Sequence, residues 1–163
     1  MMTFSTTNRN FFIRTVSAAN PDTINISIRI KSVGLMINKS AWHIGWVETS
    51  STSTTDGGAN WSCVENTGNY PGDFHILCEN STSWTLADSA GVDTFAFSIS
   101  TWGTNGSHNG TWHSLDDWQD NDTFATNVDG GANVSLGLRF FAPTYTEVAT
   151  EEQFDLTLSM VLV

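Results

Sequence analysis

A chain of 163 residues with 39% apolar content is long enough to bury one core without metals or extra covalent staples, and only 14% of it is charged. Its net charge of −11 repels phosphate and so argues against nucleic acid as a partner. No apolar run approaches the roughly 18 residues of a membrane-spanning helix, so no membrane span is expected.

The chain opens on a basic arm. Residues 1–39 carry Arg9, Arg14, Arg29, Lys31 and Lys39 against Asp22, a net of +4, whereas residues 40–163 carry Arg139 against sixteen acids, a net of −15; the two sum to −11. Opposite charges on arm and body favour docking of one on the other, within a chain or between chains. Residues 1–20 also hold Phe4, Phe11, Phe12, Ile13 and Val16 alongside Arg9 and Arg14, too apolar a set for a solvated tail. These seven are the candidate subunit-interface residues. Asn20-Pro21-Asp22 supplies a hinge, because proline has no N–H for strand pairing. An arm that adds a strand to the next subunit's sheet gives donor-strand complementation and an open, head-to-tail homopolymer. The first residues show no charged segment followed by an apolar one, so a secreted chain of this kind is expected to have lost its leader.

Beyond the arm, residues 21–163 read as one domain. Ile24, Ile26, Ile28 and Ile30 alternate with polar residues. So do Phe95, Phe97 and Ile99; Val134, Leu136, Leu138 and Phe140; and Phe154, Leu156, Leu158, Met160 and Leu162. Period-two patterns with one polar face mean half-buried antiparallel strands. Shorter strands are expected at 42–48, 60–65, 74–79, 110–115 and 123–128, with at most a single helical turn at 86–91 or 113–119. The predicted fold is all-β: a single antiparallel β-sandwich of roughly eight or nine strands with an extended N-terminal arm.

Eight Asn-x-Ser/Thr sequons begin at Asn25, Asn38, Asn60, Asn80, Asn105, Asn109, Asn121 and Asn133, where composition alone predicts roughly three or four. An N-linked glycan is bulky and hydrated, so its acceptor must lie on the surface of a secreted chain. Asn25 and Asn133 fall on the polar faces of their strands, and the others in turns or at strand ends. Cys63 and Cys78 flank the turn-rich stretch 65–73, which could fold back and bring the thiols within bonding distance; such a disulfide contributes about 3 kcal/mol.

Candidate chemistry is sparse. His43, His75, His108 and His113 have no cysteine or second histidine at metal-ligand spacing, and no nucleophile elbow, phosphate loop or zinc-protease motif occurs, so no enzyme and no cofactor are expected. Asp116, Asp120 and Asp122 form a weak calcium candidate lacking the central glycine and closing glutamate of an EF-hand loop. Seven tryptophans either fill a core or stack on sugar rings; Trp42, Trp46 and Trp61 are expected to be structural.

Three stretches carry a family resemblance: Ala41-Trp42-His43-Ile44-Gly45-Trp46-Val47 with Trp61-Ser62-Cys63-Val64-Glu65-Asn66-Thr67-Gly68-Asn69; Trp84-Thr85-Leu86-Ala87-Asp88 with Gly91-Val92-Asp93-Thr94-Phe95; and Ala125 to Asn133 running into Leu138-Arg139-Phe140-Phe141-Ala142-Pro143-Thr144. Together they resemble small secreted Ig-like sandwich proteins, among them TasA/camelysin-like matrix proteins and archaeal bundling pilins, over about residues 40–163. The resemblance implies a structural role, polymerisation by donor-strand exchange, and no catalytic residue. The expected function is a subunit of an extracellular, N-glycosylated filament at the cell surface, partnered by itself. The alternatives are a secreted module binding surface carbohydrate or neighbouring cells, and a viral coat or fibre subunit.

Overall fold

The computed structural model describes residues 31–55, 61–115, 122–148 and 150–163, together with the backbone at 5–6 and 9–10. The chain divides into two units, Met1–Ile30 and Lys31–Val163. In the first, β1 (Ser5–Thr6) pairs antiparallel with β2 (Arg9–Asn10), Ser5 opposite Asn10. The interface candidates Phe4, Phe11, Phe12, Ile13, Arg14 and Val16 lie outside the described residues, as does the isoleucine run at 24–30; of Arg9 only the backbone is described.

The second unit is built of strands, with no helix among the described residues. In chain order they are β3 (Leu35–Ile37), β4 (Thr52–Thr54), β5 (Ser62–Asn66), β6 (Gly72–Cys78), β7 (Thr85–Leu86), β8 (Thr94–Trp102), β9 (His113–Leu115), β10 (Asp122–Val128), β11 (Asn133–Phe141) and β12 (Leu156–Leu162). The larger sheet runs β3-β5-β11-β8-β7, with β4 also on β11 and β9 also on β8; the smaller runs β10-β6-β12. Among the described strand pairs of this unit β7–β8 alone is parallel.

The alternation in the sequence sets the register. β8 and β11 pair so that Phe97 faces Phe140 and Ile99 faces Leu138. Apolar cross-strand pairs of this kind stabilise a sheet and resist a one-residue slip, which would turn every inward side chain outward. Phe74, Ile76 and Cys78 of β6, Phe124 and Val128 of β10, and Leu156, Leu158 and Met160 of β12 join the same core from the smaller sheet. One core therefore serves both sheets.

β4 and β5 are two halves of one strand line. β4 ends with Thr54 opposite Arg139 and β5 begins with Ser62 opposite Leu136, so that Gly137 of β11 lies between the two halves. Thr55 closes the break: its N–H donates to Leu138 O at 2.9 Å, and its Oγ1 accepts from Leu138 N at 2.9 Å. On the far side Trp61 lies over Gly137, where an added Cβ would stand 2.4 Å from the indole. That close approach is why glycine interrupts an otherwise apolar strand.

Asn66 fixes the turn after β5. It is fully buried; its Nδ2 donates to Tyr70 O and Val128 O, each at 2.8 Å, and its Oδ1 accepts from Gly68 N at 2.9 Å. One side chain thus ties β5, its own turn and the end of β10 together.

Two expectations need correction. The stretch 42–48 forms no strand. Trp42 and Ile44 alternate inward as read, but Gly45 has φ +78° and breaks the alternation, so Val47 turns inward and Trp46 is wholly exposed instead of structural. Cys63 and Cys78 are both free thiols. The 65–73 segment does reverse the chain, but it carries it from one sheet to the other: β5 pairs with β3 and β11, β6 with β10 and β12. Cys63 lies on the face of β5 opposite buried Ser62, Val64 and Asn66, whereas Cys78 points into the core. Burial, with Glu79 adding to it, pushes the Cys78 thiol up to about 12 and keeps it protonated and inert. A thiol titration without reductant should therefore release two thiols per chain on denaturation, with Cys78 silent in the native protein. Absence of free thiol after unfolding would refute this assignment.

Candidate strand-acceptor groove

The two sheets are unequal, and this creates the site. Among the described residues the small sheet ends at β12, which pairs there with β6 alone. Its inward residues Leu156, Leu158 and Met160 are only half-buried, although Phe74 and Ile76 on the adjacent strand are sealed. On the large sheet β3 pairs, among the described residues, with β5 alone. Between these edges lies a cavity of about 1120 Å³, floored by Ile76, Phe97, Leu136, Leu138 and Phe140 and walled by the strandless stretches 39–49 and 150–155.

The walls are anchored from outside. Trp42 meets Phe97 edge-on with centroids 6.4 Å apart. Phe154 stacks on Phe95 at 4.8 Å and lies near Phe97 and Phe140 at 5.5 and 5.9 Å. Glu152 holds the 150–155 stretch by accepting from Ser83 N at 3.0 Å and Ser83 Oγ at 2.8 Å. Partial burial would raise its carboxyl, but these bonds, with others from Ser81 and Thr150, hold it below the usual carboxylate range. The result is a groove with a built floor, fixed walls and a strand edge that no described strand pairs, the geometry that β-augmentation requires.

Of the sequons, Asn38, Asn80, Asn109 and Asn133 are exposed, whereas Asn105 is half-buried and its Nδ2, the atom a glycan would modify, donates to Asn127 O. Asn38 and Asn80 use only their Oδ1, accepting from Cys63 N at 2.7 Å and Leu86 N at 2.7 Å. Asn25, Asn60 and Asn121 lie outside the described residues. Glycopeptide mass spectrometry of secreted material is accordingly expected to find Asn105 the least occupied of the five described sequons.

The other sequence candidates disperse. Asp116 and Asp120 lie outside the described residues; Asp122 begins β10, with its Oδ1 3.6 Å from His113 Nε2. No metal-holding group of three or more His, Cys, Asp or Glu occurs among the described residues. His43 is exposed, and His75 Nδ1 meets Thr123 Oγ1 at 3.1 Å. His108 and His113 stack face to face at 4.4 Å, an arrangement that spacing alone gave no reason to expect. Burial and the neighbouring His113 lower the His108 pKa below its ordinary 6.5, with Asp122 opposing them. The unfolded chain then binds a proton at His108 more readily than the folded one. Stability is fully present above the unfolded value and falls as pH drops through the lower folded value. The thermal midpoint should decline from pH 7.5 to 5, and His108→Asn should flatten that decline.

One further cluster escaped the sequence reading. On the large sheet's outer face Trp61 lies 6.2 Å from Trp102 and 6.4 Å from Trp112, and the Arg139 guanidinium sits 3.8 Å over Trp112. Gly137, which makes room for Trp61, is the one sequence signal that marks it. Comparison with protein-family models, curated proteins and solved structures finds no match for the chain.

Proposed function

We propose that this protein is a structural subunit of an extracellular, N-glycosylated filament, in which the N-terminal region of one copy fills the groove of the next. The groove between β12 and the 39–49 stretch carries this reading: it offers an extended apolar segment an apolar floor and a strand edge left unpaired among the described residues. The N-terminal region has the matching composition, being basic against an acidic body and rich in alternating or clustered apolar residues. Opposite charge speeds the encounter; apolar burial in the groove holds the joint. Filling the groove from a neighbour rather than from the same chain generates an open fibre.

The test is deletion of residues 1–30. The shortened chain should remain a soluble monomer in light scattering and form no filaments under the electron microscope. Normal filaments from it would overturn the proposal. A second reading, a carbohydrate-binding or adhesive module, draws on the tryptophans, since Trp46 is fully exposed and Trp102 more than half so. Saturable tryptophan quenching by an oligosaccharide in a protein that stays monomeric at high concentration would favour it.

A further inference from the structure

We propose that Trp102 is a stacking shelf for the first sugars of a glycan on Asn109. This rests on use of the Asn109 sequon and is independent of strand donation. Trp102 closes β8 and is 58% exposed, which leaves part of a large apolar side chain open to solvent. The ring cannot swing freely. It packs beside Trp61, and its six-membered ring lies against Gly110, where an added Cβ would come within 2.8 Å of it. Gly110 N–H donates to Thr101 O at 2.7 Å, which pins that loop to the end of β8.

Gly110 is the middle residue of the sequon Asn109-Gly110-Thr111. Asn109 is exposed and has φ +37°, the left-handed region that asparagine tolerates, and Gly110 follows at φ +86°. The two residues form a tight bend whose glycine touches the indole while the adjacent asparagine faces solvent. A glycan linked there begins its path beside the exposed ring. A pyranose has one face of C–H groups that pairs favourably with an indole face, and the covalent link removes most of the entropy cost of bringing them together. Glycine is required at 110: at its positive φ an added Cβ would stand 2.8 Å from the indole and push the ring out of place.

The test uses full-length protein secreted from a glycosylating eukaryotic host. Occupancy at Asn109 is read by mass spectrometry, and thermal midpoints are compared for wild type, Thr111→Ala, Trp102→Ala and the double variant. Thr111→Ala removes the sequon while leaving Asn109 and its backbone in place. The expected result is a loss of a few degrees for Thr111→Ala in the wild-type background and none in the Trp102→Ala background. Upfield-shifted sugar C–H resonances should also vanish on Trp102→Ala. Equal losses in both backgrounds, an unoccupied Asn109, or unshifted sugar resonances would each overturn the proposal. So would quenching of Trp102 by free oligosaccharide that is equally strong with Asn109 glycosylated, which would make the shelf a site for an external sugar.

Discussion

Replacing Asn66 with alanine should lower the stability of the body by roughly 3 kcal/mol or more, since each buried polar group left unpaired costs about 1–3 kcal/mol. The substitution orphans Tyr70 O, Val128 O and Gly68 N–H at once around a fully buried side chain, with the Val128 carbonyl the most deeply enclosed of the three. No short rearrangement supplies three new partners. For a domain of this size the loss corresponds to a fall of about 10 °C in the thermal midpoint. Asn66→Asp is the informative companion. It keeps an acceptor for Gly68 but presents oxygen to two carbonyls in a buried site, so it should be at least as damaging. A change of less than about 0.5 kcal/mol in denaturant unfolding of Asn66→Ala would show that this asparagine is not the tie it looks like.

Asn66 also shows what the sequence could and could not disclose. Its place in a turn-rich segment was legible from Glu65-Asn66-Thr67-Gly68, but its total burial was not, because the carbonyl of Val128 reaches it from 62 residues away. The all-β fold was legible wherever polar and apolar residues alternated over five or more positions, as in β8, β11 and β12. There the period itself specifies strand and inward face. The reading failed where one residue changed the rule. Gly45, with its positive φ, cut the alternation at 42–46 and threw Trp46 into solvent. The cysteine expectation failed for a topological reason: a reversing turn was taken to join paired strands, whereas it joins two sheets. Proximity along the chain carries no information about which sheet receives the next strand. The groove was invisible for a related reason, since it arises from the unequal width of the sheets. Gly137 did hold a local clue. A glycine within Val134-Ser135-Leu136-Gly137-Leu138 marks a close approach, though only the fold reveals that the approaching group is Trp61.

The second large effect is expected from filling the groove with peptide. Residues 21–31 carry Ile24, Ile26, Ile28 and Ile30 at period two, with Arg29 and Lys31 at the alternate positions, and a strand of that pattern would bring an apolar face to the floor of Ile76, Leu136, Leu138 and Phe140. Burying one isoleucine is worth about 2 kcal/mol, so four outweigh the entropy of ordering a short segment only if its backbone also pairs with the outer edge of β12. Added to the 31–163 body at a hundred times its dissociation constant, such a peptide stabilises by about 2.7 kcal/mol, or roughly 8 °C in the thermal midpoint. The variant carrying Ile26→Asp and Ile28→Asp should give no shift, because a carboxylate facing that floor has no partner. A parallel peptide spanning residues 4–16, with Phe4, Phe11, Phe12, Ile13 and Val16, tests the other apolar set. A shift from that peptide alone would make the extreme N-terminal arm the donor. A shift from neither would remove the acceptor role of the groove, and with it the physical basis for the polymer.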